Sequence, residues 1–142
     1  MSDMDMSNTV FSSTFQADLE QLDAVLAFLE GALEELGCPM KCSMQIPLAI
    51  EEAFVNVANY AYPQSNGEAE FTVERDGNAV KMVLTDSGIP FDPLAKDDPD
   101  ITLSADKRNI GGLGIFMVKK IMDRVEYSYT DGKNILTMYK NF

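Results

Sequence analysis

The chain has 142 residues, with 11 basic and 23 acidic side chains, no histidine and a formal net charge of -12. That length suits one domain with a real hydrophobic core. Such an acidic balance argues against a nucleic-acid partner, because backbone phosphates need a cationic face. A phosphate-bearing ligand would have to be met by backbone N–H groups, a helix dipole and a metal ion.

Residues 1–7 are expected to be disordered and residues 8–142 to form a single domain. The Met-, Asp- and Ser-rich N-terminus lacks the apolar core of a signal peptide. No apolar run approaches the roughly 20 residues of a membrane span, so a cytoplasmic protein is expected. Residues 8–16, rich in β-branched and aromatic types, read as a strand. Asp18 and Gln21 form a capping-box-like start. Leu19, Leu22, Val25, Leu26, Leu29, Leu33 and Leu36 then recur at helical spacing until Gly37 and Pro39. Cys38 and Cys42 are spaced C-x-x-x-C. Without histidine, zinc would need carboxylates as its remaining ligands, so free thiols at a helix junction are expected.

A second helix is predicted over 43–62, with Pro47 tolerated only in its first turn and Pro63 ending it. Residues 64–67 form a turn. Residues 71–74 and 79–85 read as a hairpin around Asp76-Gly77-Asn78, the second strand being more apolar and therefore more central. Residues 88–110 show little periodicity, and about 92–110 is expected to be a lid over a ligand. The acidic run Asp97-Asp98-Pro99-Asp100 lacks a calcium-loop pattern and reads as solvated. A helix over 111–123 should bury Ile115, Phe116, Val118, Ile121 and Met122. A final hairpin, 125–130 and 134–139, turns at Asp131-Gly132. Strand runs separated by helices imply an α/β two-layer sandwich: a mostly antiparallel mixed sheet with helices packed on one face.

Three short motifs carry the chemistry. Glu52 and Asn56 are four apart and share one side of the second helix, with Asn59 and Tyr60 continuing it; Ala49, Ala53, Val57 and Ala61 form the small apolar stripe taken as opposing. Asparagine is a poor helix-interior residue, and Asn56 can offer an oxygen to Mg²⁺, while Glu52 could position or deprotonate a nucleophile. A solvated Glu51-Glu52 edge is the plainer alternative. Asp86 follows an apolar strand and precedes Ser87-Gly88; a carboxylate there can accept from an exocyclic amine such as that of adenine, and the glycine lets backbone approach a flat base. An ordinary Asp-Ser-Gly turn is the alternative, although Phe91-Asp92-Pro93 suggests a fixed approach to the lid. Gly111-Gly112-Leu113-Gly114 opens a helix whose N–H groups and dipole suit an anion. It is neither a Walker A loop nor a convincing dinucleotide fingerprint, and alone it could be a tight loop before a helix.

With the three motifs in this order, the chain resembles the anti-sigma-factor serine/threonine kinases of bacteria, within the larger superfamily of gyrase, heat-shock-chaperone, histidine-kinase and mismatch-repair ATPases (GHKL). The resemblance covers residues 8–140. Its strings are the Glu51–Tyr62 segment, Asp86-x-Gly88-x-Pro-Phe-Asp-Pro93 and Gly111-Gly-Leu-Gly-Ile115, which look like the family's N, G1 and G2 boxes. The resemblance implies a Bergerat-type ATP-binding fold, with ATP and Mg²⁺ as cofactors. It implies Glu52 as catalytic base, Asn56 as Mg²⁺ ligand, Asp86 as adenine reader and Gly88 beside the base. Gly111, Gly112, Leu113 and Gly114, with Lys107 and Arg108 just upstream, would bind the phosphates. It also implies phosphorylation of a serine on a STAS-domain anti-sigma-factor antagonist, capture of a sigma factor, and a homodimer. Two departures stand out: many members have histidine where this chain has Tyr60, and many have a basic residue where it has Ile110, which bears on the γ-phosphate contact.

Two functions follow. One is an ATP- and Mg²⁺-dependent protein serine/threonine kinase in a partner-switching system. The other is a nucleotide-responsive binding module that sequesters a partner without phosphorylating it. The presence of both Glu52 and Asn56 favours the first. A histidine kinase is disfavoured, since the chain has neither histidine nor room for a dimerisation helix pair.

Overall fold

The computed structural model describes residues 9–63, 66–95 and 112–142. Alternation in β1 (Val10–Gln16) turns Phe11 and Phe15 toward the core. Asp18 then accepts the Glu20 N–H at 3.0 Å and starts a short 3₁₀ turn, Leu19–Gln21, ahead of α1 (Leu22–Glu35). The regular helix therefore begins later than its leucine pattern suggests, and Leu19 is exposed. Val25, Leu29, Ala32 and Leu33 form the buried stripe of α1. Its end is closed by Cys38 N–H to Leu33 O (3.0 Å) and Gly37 N–H to Glu34 O (3.1 Å), the paired bonds of a Schellman motif.

The second helix departs from expectation. α2 spans Met40–Tyr60, so Pro47 lies in its interior and not in its first turn. Pro39 occupies the N-cap at φ -59, ψ 149, and Ser43 N–H already bonds to Pro39 O at 3.0 Å. An interior proline costs about 3 kcal/mol of helix stability. Ile46 and Ile50, both 0% exposed, flank it, and full burial of such a side chain is worth about 1.5–3 kcal/mol each. Packing therefore outweighs propensity, and the helix continues through the proline.

β2 (Glu68–Asp76) and β3 (Ala79–Asp86) form the first hairpin. β4 (Arg124–Thr130) and β5 (Lys133–Asn141) form the second, turning at Asp131 (φ 55) and Gly132 (φ 76). Both residues there have positive φ, as a type I′ turn requires. The strand order is β1-β2-β3-β5-β4, and all four pairings are antiparallel. β3 is central, as its apolar composition predicts.

Every second residue of the sheet faces the helices. Ala69, Phe71 and Val73, Val80, Met82 and Leu84, then Leu136 and Met138 are buried against Phe54 of α2 and Leu29 and Leu33 of α1. From α3 (Gly112–Ile121), Ile115 and Val118 enter the same core, while Phe116 and Ile121, expected fully inside, are only half-buried. The protein is thus an α/β two-layer sandwich with its helices on one face of an antiparallel sheet. The buried rows of β3 and β5 end at Asp86 and Asn134, which are paired directly across the sheet. Among the described residues no helix is long and apolar enough to cross a membrane.

Candidate functional site

At that end of the sheet lies a pocket of about 410 Å³, counting its space open to solvent. Only about 40 Å³ of it is wide enough to admit the centre of a water molecule, far below the roughly 300–1,000 Å³ usual for small-molecule sites. Ala53 and Val57 of α2 with Ala61 at its C-cap form one wall, Leu84 and Leu136 of the sheet form another, and Phe91 and Pro93 come from the chain after β3. Among the described residues the polar groups of the lining are few: Asn56, Asp86, Tyr127 and Asn134. An apolar slot with a handful of convergent polar groups suits a flat heterocycle with one hydrogen-bonding edge.

Asn56 and Asp86, from two separate motifs, therefore meet in one pocket. Asn56 does not oppose the alanine stripe as expected. It is 7% exposed and lines the same cavity as Ala53 and Val57. The helical turn explains this, since residues seven apart lie only about 20° apart around the axis and place Asn56 almost beneath Ala49. No hydrogen bond of the Asn56 side chain is formed among the described residues. A buried amide that lines a cavity in this way fits a ligand oxygen, amine or hard cation. No group of three or more carboxylates and thiols that could hold a metal occurs among the described residues.

Asp86 is 6% exposed. Its Oδ1 accepts the Gly88 N–H (2.9 Å) and the Asn134 Nδ2–H (2.9 Å), so its described bonds fall on one oxygen. The turn that follows is seated on the end of α2. Ile89 N–H donates to Ala61 O at 2.9 Å, and a Cβ built on Gly88 would stand 2.2 Å from that same carbonyl oxygen. Only glycine allows so close an approach. Tyr62 adds a second tie: its hydroxyl donates to Glu68 O (2.7 Å) and accepts from Ser87 N–H (2.8 Å). Burial pushes the Tyr62 hydroxyl above its ordinary pKa.

Phe91-Asp92-Pro93 is held from both sides. Phe91 stacks on Tyr60 with centroids 5.4 Å apart, its N–H donates to Asn134 Oδ1 (3.1 Å), and Asp92 accepts the Leu94 N–H (2.8 Å). Tyr60, where many family members carry histidine, thus forms a ring stack behind the pocket wall. Asn59 is exposed and does not line the pocket.

Glu52 sits one turn before Asn56, half-buried and outside the pocket lining. Burial, and then the neighbouring charge of Glu51, hold its carboxyl above the ordinary 4.5. α3 begins at Gly112 and packs against α2 and the Pro93–Ala95 turn. Gly111, Lys107, Arg108 and nearly all of the expected lid over 92–110 lie outside the described residues, as do residues 1–7. Cys38 and Cys42 are free thiols, as expected, with Cys42 Sγ donating to Asn141 O at 3.2 Å. Burial raises the Cys38 thiol, and a hydrogen bond with Ser43 partly offsets this.

Sequence reasoning missed Asn134, Tyr127 and Tyr62. A signal for the first was present: Asn134 is in phase with Leu136 and Met138, so its side chain had to enter the core row. Tyr62 and Tyr127 gave no comparable signal, since their partners are main-chain or distant groups that no spacing indicates.

The family model for the histidine kinase-like ATPase domain matches residues 15–140. Among curated relatives, serine-protein kinase RsbW of Bacillus cereus (strain AH820) is 23% identical over 124 residues, covering 84% of this chain and 78% of that protein. Serine-protein kinase RsbW of Listeria monocytogenes serovar 1/2a is 27% identical over 121 residues, covering 80% and 76%. With the matched region containing every element of the pocket, the chain belongs to the histidine kinase-like ATPase domain family.

Proposed function

We propose that this protein binds ATP with Mg²⁺ in the pocket between α2 and the sheet and transfers the γ-phosphoryl group to a serine or threonine of a STAS-domain partner. The observation that carries the reading is the convergence of Asn56 and Asp86 on one apolar pocket. Asp86 receives the exocyclic amine of adenine, and Gly88 lies against the base. Asn56 offers its side-chain oxygen to the cation, which when bound neutralises charge on the phosphates. The backbone of residues 111–114, with Lys107 and Arg108, meets the phosphates themselves.

Glu52 takes the proton of the acceptor hydroxyl as its oxygen bonds to phosphorus, and ADP leaves. Its raised proton affinity suits a general base, whose ideal pKa lies nearer the working pH. The similarity to serine-protein kinases supports transfer to a protein hydroxyl. The family resemblance narrows the acceptor to an anti-sigma-factor antagonist, with a sigma factor as the alternative partner and a homodimer as the working form.

A second reading rests on one observation: Glu52 stands outside the pocket lining. If it does not reach an acceptor, the protein is a nucleotide-responsive module that sequesters its partner. Mass spectrometry of a STAS protein incubated with this protein, ATP and Mg²⁺ separates the two. One phosphoserine or phosphothreonine, absent with Glu52→Gln, is the expected result. A stable complex carrying no phosphate would establish the binding module instead.

A further inference from the structure

Asn134 is one of three buried polar side chains among the described residues, at 6% exposure, in a strand row that is otherwise Leu136 and Met138. A primary amide has two N–H donors and one oxygen with two lone pairs. Here all four are used. Nδ2 donates to Asp86 Oδ1 (2.9 Å) and to Ile89 O (2.8 Å), while Oδ1 accepts the Phe91 N–H (3.1 Å) and the Tyr127 hydroxyl. Flipping the amide would set donors against donors and oxygen against oxygens, so the network fixes its orientation. One side chain on β5 thereby grips residues 86, 89 and 91, three points of a single turn.

The same bonds divide the two oxygens of Asp86. Oδ1 is filled by the Asn134 and Gly88 donors, whereas Oδ2 has no hydrogen bond among the described residues. We propose that Asn134 is a positioning residue for base selection: its amide fixes the turn and occupies Oδ1, so that Asp86 presents Oδ2 alone, at a preset angle, to the edge of a purine. This rests on the nucleotide reading of the pocket. The amide itself touches no ligand, having no valence left. Leucine at this position would complete the core row but hold nothing. Aspartate lacks both donors, and threonine has one where two are needed.

The charged and titratable neighbours sharpen the test. Asp86 comes from β3, Tyr127 and Tyr129 from β4, Asp92 from the chain after Phe91, and Tyr62 from the chain just after α2. Among the described residues no lysine or arginine lines the pocket. A second carboxylate at position 134 would share one proton with Asp86, and raising the pH would leave two like charges in contact.

The experiment is calorimetry of the full chain with Mg-ATP and Mg-GTP from mildly acidic to mildly alkaline pH. Wild type should prefer ATP with a nearly flat profile. Asn134→Asp should bind ATP progressively more weakly as pH rises, losing about 10–100-fold as buried partners go unsatisfied, and its ATP:GTP ratio should fall. A flat profile with a wild-type ratio in that variant overturns the proposal. If circular dichroism shows Asn134→Asp unfolded, Asn134→Thr decides: folded with a reduced ratio supports the role, folded with an unchanged ratio overturns it. Tyr127→Phe, which leaves both donors to the turn, should lower affinity only slightly and keep the flat profile; a pH-dependent profile there would assign the effect to Tyr127. Wild type that binds neither nucleotide refutes the pocket reading and the positioning role together, whereas normal wild-type binding with indifferent Asn134 variants refutes the positioning role alone.

Discussion

Asp86 occupies the place where the alternation of Val80, Met82 and Leu84 calls for a fourth apolar side chain. A buried carboxylate is costly unless hydrogen-bonded, and this one is held by two donors on Oδ1 while the residue lines the pocket. Asp86→Ala should therefore cost ATP about 1–3 kcal/mol of binding, the usual cost of an unpaired buried group, and bring its affinity close to that of GTP. Calorimetry with both nucleotides checks this. Glu52 is expected to behave differently. Glu52→Gln should retain nucleotide while phosphoryl transfer falls by about 10²–10⁴-fold, the range of general-base catalysis. The pH sign follows from its raised pKa. The base form is lost on acidification, so the rate should fall with an inflection above the ordinary 4.5. Glu51→Gln removes the second cause of the shift and should move that inflection to lower pH. For stability the sense is reversed: the native state holds the Glu52 proton to higher pH than the unfolded chain does. Stability from this group is therefore greatest below the unfolded pKa and declines as pH rises through the folded one. Thermal unfolding of Glu52→Gln at neutral pH should show no loss relative to wild type.

At the scale of elements, what could be read in the residues was what has a period or a turn code. The central strand, the Asp131-Gly132 hairpin and the stripe of α1 all follow from alternation, positive-φ residues or leucines at helical spacing. Asn56 and Asp86 were also legible, one as an amide inside a helix and one as an acid ending an apolar strand. The start of α2 was not, because it depends on the burial of Ile46 and Ile50, which only the assembled core supplies. Nor was the turn after β3, whose shape is set by Asn134 of β5 and by Ala61 and Tyr62 after α2, two other segments. Two substitutions test these accounts. Pro47→Ala restores a possible N–H donor for the Ser43 carbonyl, and should raise the unfolding temperature by an amount corresponding to no more than about 3 kcal/mol. Gly88→Ala drives a Cβ into Ala61 O, and because that atom is backbone the turn must move. Nucleotide affinity should drop sharply while circular dichroism stays native; an unchanged affinity would mean that the turn does not seat a ligand.

At the scale of the whole molecule, the net charge of -12 sets the terms on which a triphosphate can be accepted. Among the described residues the pocket lining contributes one carboxylate and no cation. Lys107 and Arg108 are the cationic side chains nearest the third motif in sequence, and Lys119 and Lys120 stand in the last turn of α3, away from its first residues. On this reading the phosphates are held chiefly by main-chain N–H groups and the metal ion, with Lys107 and Arg108 as a smaller contribution, against a repulsive background. Two consequences follow for calorimetry. Chelating Mg²⁺ should weaken ATP far more than adenosine, since only the triphosphate depends on the cation. Salt should act in the direction opposite to that of a lysine-lined phosphate site. Raising ionic strength shortens the screening length to about 10 Å at 0.1 M, which relieves repulsion from the acidic surface more than it weakens short contacts inside the pocket. Mg-ATP affinity should accordingly stay level or rise modestly from low to physiological salt at constant free Mg²⁺. A steep fall would show that side-chain cations dominate phosphate binding, and would point to Lys107 and Arg108 as the residues to substitute next.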